Sequence, residues 1–228
     1  MALYGFCHIA LIPLRSQPSH RAEMTSQLLF GEAYEIINQE DNWLYIRTLY
    51  DDYEGYIDRG QLALVREKDI ETFFIQQNPL ITPSFLLLHD KRRYIDFLVP
   101  PGSSLPLRDT NTIYLGAEWF EIESIPTEKL MDEVLLSYMN APYLWGGRSP
   151  LGIDCSGFNQ TVFKIAGIKL KRDASQQAQQ GTLVSSFVEI QCFDLAFFEN
   201  KDGRIIHTGI IYKNNTISDS VLLLINVY

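Results

Sequence analysis

Short apolar runs separated by polar turns dominate the first 65 residues of the chain. Polar stretches such as residues 38–42 predict turns between these runs. The segments with the apolar, β-branched and aromatic composition of strands are residues 10–14, 33–37, 43–48 and 55–57. The pattern therefore predicts a small all-β domain over residues 1–65.

The β character continues less clearly over residues 66–125. Segments 85–88, 94–99 and 119–122 favour strands, and Pro100-Pro101-Gly102 favours a turn. We interpret this region as a second, degenerate all-β domain of the same type as the first.

The pattern becomes helical after residue 126. Thr127 is a candidate N-cap, with Glu128 in the first turn. The residues that recur at helical spacing after it are Leu130, Val134, Leu135 and Tyr138. A second helix is predicted over residues 158–166, and two strands over residues 193–212. This order of elements predicts a compact α+β domain over residues 126–228.

Composition and charge exclude several classes of protein. The 228 residues carry a formal net charge of -9, which argues against nucleic acid as a partner because phosphate binding needs an excess of Lys and Arg. No run approaches the roughly 18 apolar residues of a membrane span. Residues 5–14 are apolar, but no Lys or Arg precedes them, so they favour a strand over a signal peptide.

The cysteines predict free thiols in a reducing compartment. The chain has an odd number of cysteines, namely Cys7, Cys155 and Cys192. No two of them have the spacing of metal ligands. We therefore expect a cytoplasmic protein. No cluster of ligand residues is visible in the sequence, so we expect neither a metal nor an organic cofactor. We also expect a monomer.

Cys155 has the sequence surroundings of a nucleophile. It follows the glycine-rich turn 146–152 and precedes the apolar helical stripe of Phe158, Val162 and Ile165. A thiol at a helix N-terminus faces unpaired N–H groups and the positive end of the helix dipole, and both lower its pKa. The same N–H groups can stabilise the oxyanion that forms when a carbonyl is attacked.

His207 is the candidate general base. A thiolate nucleophile needs a base that carries a proton to the leaving amine. Of the four histidines, only His207 lies in the third predicted domain, at the start of an apolar strand. A polar side chain at that position favours chemistry over packing.

These segments resemble the NlpC/p60 family of cell-wall cysteine peptidases, and within it the γ-D-glutamyl-diamino-acid endopeptidases. The resemblance implies a papain-like α+β fold in which helices face a small antiparallel sheet, with Cys155 as nucleophile and His207 as base. The matching motifs in chain order are Tyr143-Leu144-Trp145-Gly146-Gly147-Arg148, Asp154-Cys155-Ser156-Gly157, Arg172-Asp173-Ala174-Ser175-Gln176-Gln177, Asp194-Leu195-Ala196-Phe197-Phe198 and His207-Thr208-Gly209.

The first 65 residues resemble a bacterial Src-homology-3-like barrel. The features that match are Leu14-Arg15 with Pro18 in the first loop, Gly31 before a strand, Asp41-Asn42-Trp43, and Gly55-Tyr56-Ile57-Asp58. The expected architecture is thus one or two small all-β barrels followed by the papain-like domain.

The third catalytic residue is where the chain departs from the family. The family usually places a polar residue, most often His, about a dozen positions after the base, but no His follows His207. Asp219 and Ser218 are the candidates by position, and an Asp could orient the imidazole. The chain also ends at Tyr228, sooner than most members of the family. If neither Asp219 nor Ser218 takes the place of the missing His, the C-terminal region is altered and catalysis is impaired.

The resemblance implies a specific substrate. Family members with such barrels cleave the bond between γ-D-Glu and the diamino acid in murein-derived peptides with a free N-terminal L-Ala, as part of murein peptide recycling. A buried ammonium needs anionic and acceptor partners. Asp154 and Ser156 are candidates beside the nucleophile. From the barrel, the candidates by position are Glu23 and Tyr53, with Tyr56 as the nearest alternative to Tyr53.

Two other interpretations remain open at the level of sequence. The chain could be a catalytically impaired module that only binds cell-wall peptides, which the missing second His supports. It could also use the same Cys–His chemistry as an acyl- or amidotransferase. Thiol reactivity distinguishes the first alternative from an enzyme, and product analysis distinguishes the second.

Overall fold

The first part of the chain folds into an antiparallel sheet. The computed structural model describes residues 2–213 and 220–223. The strands of this first sheet are β1 (Leu3–Phe6), β2 (Leu11–Arg15), β3 (Met24–Leu29), β4 (Ala33–Glu40), β5 (Trp43–Thr48), β6 (Glu54–Asp58) and β7 (Leu64–Val65). They lie in the order β3-β2-β6-β5-β4-β1-β7, and a short 3₁₀ turn, Arg59–Gln61, follows β6.

Alternating side chains of this sheet form its core, as the apolar pattern predicted. In β5, Leu44 and Ile46 are buried while Tyr45 and Arg47 are half-buried on the other face. Ile12, Leu14 and Ile57 complete the centre of the cluster. The strands predicted at 10–14, 33–37, 43–48 and 55–57 are therefore confirmed as β2, β4, β5 and β6, with ends shifted by up to three residues.

The second part of the chain carries two smaller sheets. Its strands are β8 (Leu80–Ile81), β9 (Leu86–Asp90), β10 (Ile95–Val99), β11 (Ser104–Leu105), β12 (Thr112–Leu115) and β13 (Glu118–Ile122). One sheet has the order β10-β9-β13-β12, and β8 pairs with β11. Among the described strands, β10 and β12 are sheet edges, so closure into a second barrel stays a prediction.

The second part does not have a core of its own. Phe30 and Val65 from the first sheet pack in one cluster with Leu88, Phe120 and Ile122 from the second. The first and second parts thus share this cluster, and the first sheet has a further cluster of its own.

A short helical segment that the sequence did not predict connects these two parts. It consists of α1 (Glu67–Ile70) and one turn of π-helix, Glu71–Gln76. The N-cap of α1 is Arg66, whose side chain makes no capping hydrogen bond. The usual Ser, Thr, Asp or Asn signal of a helix start is therefore absent from the sequence.

The third part contains three further helices and two small sheets. Its helices are α2 (Met131–Leu136), α3 (Cys155–Ile165) and α4 (Ala174–Gln177), with a 3₁₀ turn at Phe187–Glu189. Its strands are β14 (Arg148–Ser149), β15 (Gly152–Ile153), β16 (Leu195–Glu199), β17 (Ile205–Lys213) and β18 (Ser220–Leu223). β14 pairs with β15, and β16-β17-β18 form an antiparallel sheet against which α3 packs.

The predicted start of α2 is wrong by three residues, because the N-cap is Leu130 and not Thr127. The helix begins at Met131, because the Glu133 side chain turns back and accepts a hydrogen bond from the Leu130 N–H at 3.2 Å. Leu130 is 75% exposed, whereas Val134 and Tyr138 are buried as predicted.

Glu32 joins all three parts of the chain. It lies between β3 and β4 and is buried, and Arg148 donates to both of its carboxylate oxygens at 2.7 and 2.8 Å. Lys164 on α3 donates to Glu32 at 2.6 Å and to Ser104 of the second part at 3.1 Å. Burial alone would raise the pKa of Glu32, but the two cations outweigh it and lower that pKa to about 2. Glu32 is therefore charged in the folded protein.

None of the helices in the described part of the chain combines the length and hydropathy that crossing a bilayer requires.

Candidate active site

Cys155 is the first residue of α3, as the sequence predicted. Asp154 is the N-cap, and its carboxylate accepts a hydrogen bond from the Gly157 N–H at 2.7 Å. Residues Cys155–Lys164 of α3 are all buried, and the Cys155 side chain is 8% exposed. The thiol thus lies at the N-terminus of a helix that is buried along nearly its whole length.

The carboxylate of Asp154 is occupied by groups of the protein itself. Arg172, which is 1% exposed, donates to its two oxygens at 3.0 and 2.6 Å, and Gly146 N–H donates at 2.8 Å. Ser156 donates at 3.3 Å and accepts from Arg172 at 2.9 Å. A carboxylate offers about four lone-pair positions, so few remain for a ligand. Direct substrate contacts of Asp154 and Ser156 stay predictions.

Gly146 lets the first barrel approach the nucleophile turn. Its φ of +77° lies in the left-handed region, and a Cβ there would collide with the carbonyl oxygen of Met24 on β3. A side chain at this position would push the barrel away from the turn that precedes Cys155.

Strand β17 brings His207 to the same end of α3. The neighbouring Thr208 makes a backbone hydrogen bond to Cys155. Its hydroxyl accepts from Asn159 of α3 at 2.9 Å and donates to Ala196 of β16 at 2.9 Å. These bonds fix β17 against α3. The His207 ring is half-buried, and its centroid lies 5.9 Å from that of Phe198.

The local environment changes the acidity of both candidate catalytic groups. Burial raises the pKa of the Cys155 thiol, and the hydrogen bond from Thr208 opposes this only in part. Burial lowers the pKa of His207, which favours the neutral imidazole. The expectation of a lowered thiol pKa was therefore wrong, because desolvation outweighs the N–H groups of the helix start. Both shifts favour the neutral forms of the two groups, and the role of His207 as the base that takes the thiol proton stays a prediction.

Glu23 and Tyr53 extend from the first barrel to the third part of the chain. Trp145 donates its indole N–H to Glu23 at 2.7 Å, and Tyr53 donates its hydroxyl to Asp173 at 3.1 Å. Tyr56 instead packs against Tyr45 within the barrel, with ring centroids 4.9 Å apart and ring planes tilted by 51°. Tyr53 is thus the barrel tyrosine that reaches the candidate site.

The candidates for the third catalytic residue, Asp219 and Ser218, lie outside the described residues. The described pairing of β17 with β18 extends from Lys213↔Ser220 to Ile210↔Leu223. His207 lies beyond its end.

Comparison with known proteins identifies the domains. Residues 140–221 match the NlpC/P60 family, and residues 14–62 match the bacterial dipeptidyl-peptidase Sh3 domain. The chain contains an NlpC/P60 domain preceded by a bacterial Src-homology-3-like domain. The resemblance and the fold class inferred from the sequence are confirmed.

Two relatives of known name align with most of this chain. "Dipeptidyl-peptidase 6" of Lysinibacillus sphaericus is 29% identical over 197 residues, an alignment that covers 71% of this chain and 69% of the relative. "Gamma-D-glutamyl-L-lysine dipeptidyl-peptidase" of Bacillus cereus is 24% identical over 210 residues, covering 80% of this chain and 62% of the relative. These names support a peptidase.

The fold of the whole described region also has a solved counterpart. The crystal structure of an NlpC/P60 family protein from Bacillus cereus superposes with a TM-score of 0.73 at 20% identity, covering 92% of this chain and 88% of the other. At this identity the likeness is one of fold. It extends over the barrel as well as the NlpC/P60 domain.

Several residues that hold the NlpC/P60 site together were not singled out in the sequence. Arg172 joins Asp154 and Ser156 to Ser26 of the barrel, to which it donates at 2.9 Å. Gln177 donates to the carbonyls of Ser156 and Lys171, each at 2.9 Å. Arg172 and Gln177 stood in a recognised motif, but only the folded structure shows their partners. Among the described residues, no three His, Cys, Asp or Glu side chains cluster as a metal site would require.

The raised thiol pKa predicts a specific pH dependence. We expect the rate at which iodoacetamide alkylates Cys155 to rise continuously from pH 6 to above pH 9, because only the thiolate reacts and burial disfavours it. Peptide mass spectrometry of the alkylated protein measures this rate, with Cys192 as an internal comparison. A rate that is already constant near pH 6 would indicate a preformed thiolate–imidazolium pair and contradict the neutral forms of the two groups.

Proposed function

We propose that the chain is a cysteine peptidase that cleaves the bond between γ-D-Glu and the diamino acid in L-Ala-γ-D-Glu-diamino-acid peptides. One observation carries the proposal. Cys155 begins a buried helix beside the strand that bears His207, and two side chains of the barrel, Glu23 and Tyr53, extend to the same region. One relative carries the name "Gamma-D-glutamyl-L-lysine dipeptidyl-peptidase", which supports γ-D-glutamyl-diamino-acid peptides as the substrate class.

The chemistry follows from these groups. His207 takes the thiol proton as the sulfur of Cys155 attacks the γ-carbonyl carbon of D-Glu, and the N–H groups at the start of α3 stabilise the oxyanion. The protonated imidazole then gives its proton to the amine of the diamino acid as the C–N bond breaks. Water, deprotonated by His207, hydrolyses the thioester and releases L-Ala-γ-D-Glu.

Asp173 and Glu23 are the carboxylates best placed to receive the ammonium of the substrate. Asp154 is paired with Arg172, so its charge is already balanced. Asp173 is half-buried, and burial raises its pKa while the hydrogen bond from Tyr53 opposes this. A substrate ammonium beside Asp173 would stabilise its charged form. We infer that selection of a free amino terminus depends on Asp173, Glu23 and Tyr53.

Replacing Asp173 tests this selection. We expect Asp173→Asn to lower kcat/KM for the free-amine tripeptide by about 10- to 100-fold, because a charge-assisted bond is lost while the shape is kept. Steady-state kinetics measure the change, and Asp202→Asn, at an exposed turn, is the matched control. If Asp173→Asn and wild type had equal kcat/KM, Asp173 would not bind the substrate.

Product analysis tests the proposed function itself. Mass spectrometry after incubation with L-Ala-γ-D-Glu-L-Lys and with the diaminopimelate tripeptide should show L-Ala-γ-D-Glu and the free diamino acid. The ratio of the two rates gives the preferred diamino acid. Binding without any cleavage would favour the impaired binding module, and transfer of the dipeptide to an added amine instead of water would favour a transferase.

The biological setting belongs to the same proposal. A substrate with a free L-Ala amine has already been released from the glycan strand, which fits recycling of murein peptides in the cytoplasm by a monomeric enzyme. Fractionation of cells and light scattering of the purified chain test the location and the oligomeric state.

A further inference from the structure

A separate cavity of about 440 Å³ lies where the three parts of the chain meet. Its lining includes Lys164, near the C-terminal end of α3, whereas Cys155 is at the other end. The nine helical steps from Cys155 to Lys164 span roughly 13 Å at 1.5 Å per residue. The cavity is therefore distinct from the candidate active site.

The floor of this cavity holds a buried lysine. Lys164 is 3% exposed and bonded to Glu32 and Ser104, both of which also line the cavity. Its ammonium lies 4.8 Å from the centre of the Tyr50 ring, and the ammonium of Lys169 lies 5.8 Å from the same ring. Two cationic groups that line the cavity thus lie close to the same ring, which lines it as well. Lys169 is exposed and lies at the mouth.

The charges around the cavity leave a positive balance. Of the residues that line the cavity, Lys164 and Lys169 are cations and Glu32 is an anion, so the charge of the lining is +1. A positive cavity in a chain of net charge -9 favours a ligand with a single negative charge.

The walls of the cavity are apolar. They are formed by Ala33, Leu49, Phe74, Pro79, Ile81 and Ile168. A concave apolar site with a few convergent polar groups is the usual form of a small-molecule site. We propose that this cavity binds a small organic carboxylate with an apolar body, its carboxylate paired with Lys169 and Lys164 and its body against the apolar walls.

Binding there would connect the three parts of the chain. The ligand would touch the first barrel at Leu49, the second part at Ile81 and α3 at Lys164. A ligand that binds only the assembled state stabilises that state by mass action. Binding in this cavity requires no reaction at Cys155. The proposed ligand site is therefore independent of the proposed peptidase activity.

Thermal unfolding with a charged probe and its uncharged analogue tests the site. The probes are N-acetyl-L-phenylalanine, a carboxylate, and N-acetyl-L-phenylalanine amide. We expect the carboxylate at about ten times its Kd to raise Tm by about 3 °C or more, and the amide at equal concentration to raise it far less. Backbone NMR shifts should change at Gly167 and Ile168.

Three variants locate the binding. Lys169→Gln should weaken binding of the carboxylate by about 5-fold or more through loss of a charge pair, while the exposed Lys129→Gln should leave it unchanged. Ile168→Trp, at the half-open mouth, should block entry. Alkylation of Cys155 should not alter binding.

Three results would overturn the proposal. They are equal binding of carboxylate and amide, no binding of either at millimolar concentration, and loss of binding on alkylation of Cys155. The last would mean that the probe occupies the active-site cleft.

Discussion

Replacement of Cys155 by alanine is expected to slow hydrolysis of the tripeptide by about 10⁴-fold or more. The covalent route is lost, and the oxyanion groups at the start of α3 cannot replace it. The free energy of unfolding should change by about 1 kcal/mol or less, because one sulfur atom is removed and Asp154 still caps the helix. Single-turnover kinetics and urea unfolding measure the two effects.

Cys192→Ala is the matched control for this variant. Cys192 is half-buried and lies just before β16, so its removal should leave the rate within about twofold of wild type. If Cys155→Ala retained the wild-type rate, Cys155 would not be the nucleophile.

Replacement of Glu32 by glutamine is expected to lower the free energy of unfolding by about 3–5 kcal/mol. The substitution leaves the buried Arg148 and Lys164 without the anion that they share, and an uncompensated buried charge is costly. Urea unfolding measures the change. Glu35→Gln is the control, since Glu35 is on β4 in a surface pair with Arg47 at 3.7 Å and such pairs contribute little.

The wild-type protein gives an independent test of Glu32. Its pKa is about 2 in the folded state and about 4.3 in an unfolded chain. A lowered folded pKa contributes stability that is fully present above the unfolded value and is lost as pH falls towards 2. Stability that does not fall between pH 4.5 and 2 would show that Glu32 is not held as an ion by its two cations.

The local pattern of apolar and polar residues was sufficient to predict most of the strands and helices. Alternation in Trp43–Thr48 identified a strand, and the glycine-rich turn before an apolar stripe identified the start of α3. Both signals come from neighbours along the chain, which sequence periodicity records. The sequence did not predict α1, because Arg66 gives no capping signal. The predicted start of α2 was wrong, because the bond from the Leu130 N–H to Glu133 fixes where the helix begins.

Contacts between distant residues could not be predicted in the same way. Arg172 pairs with Asp154 across 18 positions and with Ser26 across 146. The thiol pKa was misjudged for a related reason: the helix N-terminus is a local feature, whereas the burial that outweighs it comes from the folded surroundings. Tyr53 and Glu23 were placed by resemblance, and the structure adds their partners Asp173 and Trp145.

A competition between free and N-acetylated tripeptide tests the central claim most directly. The two peptides are incubated together with the protein, and mass spectrometry follows the loss of each. Acetylation removes the ammonium, adds bulk and leaves Asp173 and Glu23 without a cationic partner, so we expect the acetylated peptide to be cleaved more slowly by about 100-fold or more. Cleavage of both peptides at similar rates would contradict a site closed by the barrel, and cleavage of neither would contradict the proposed peptidase.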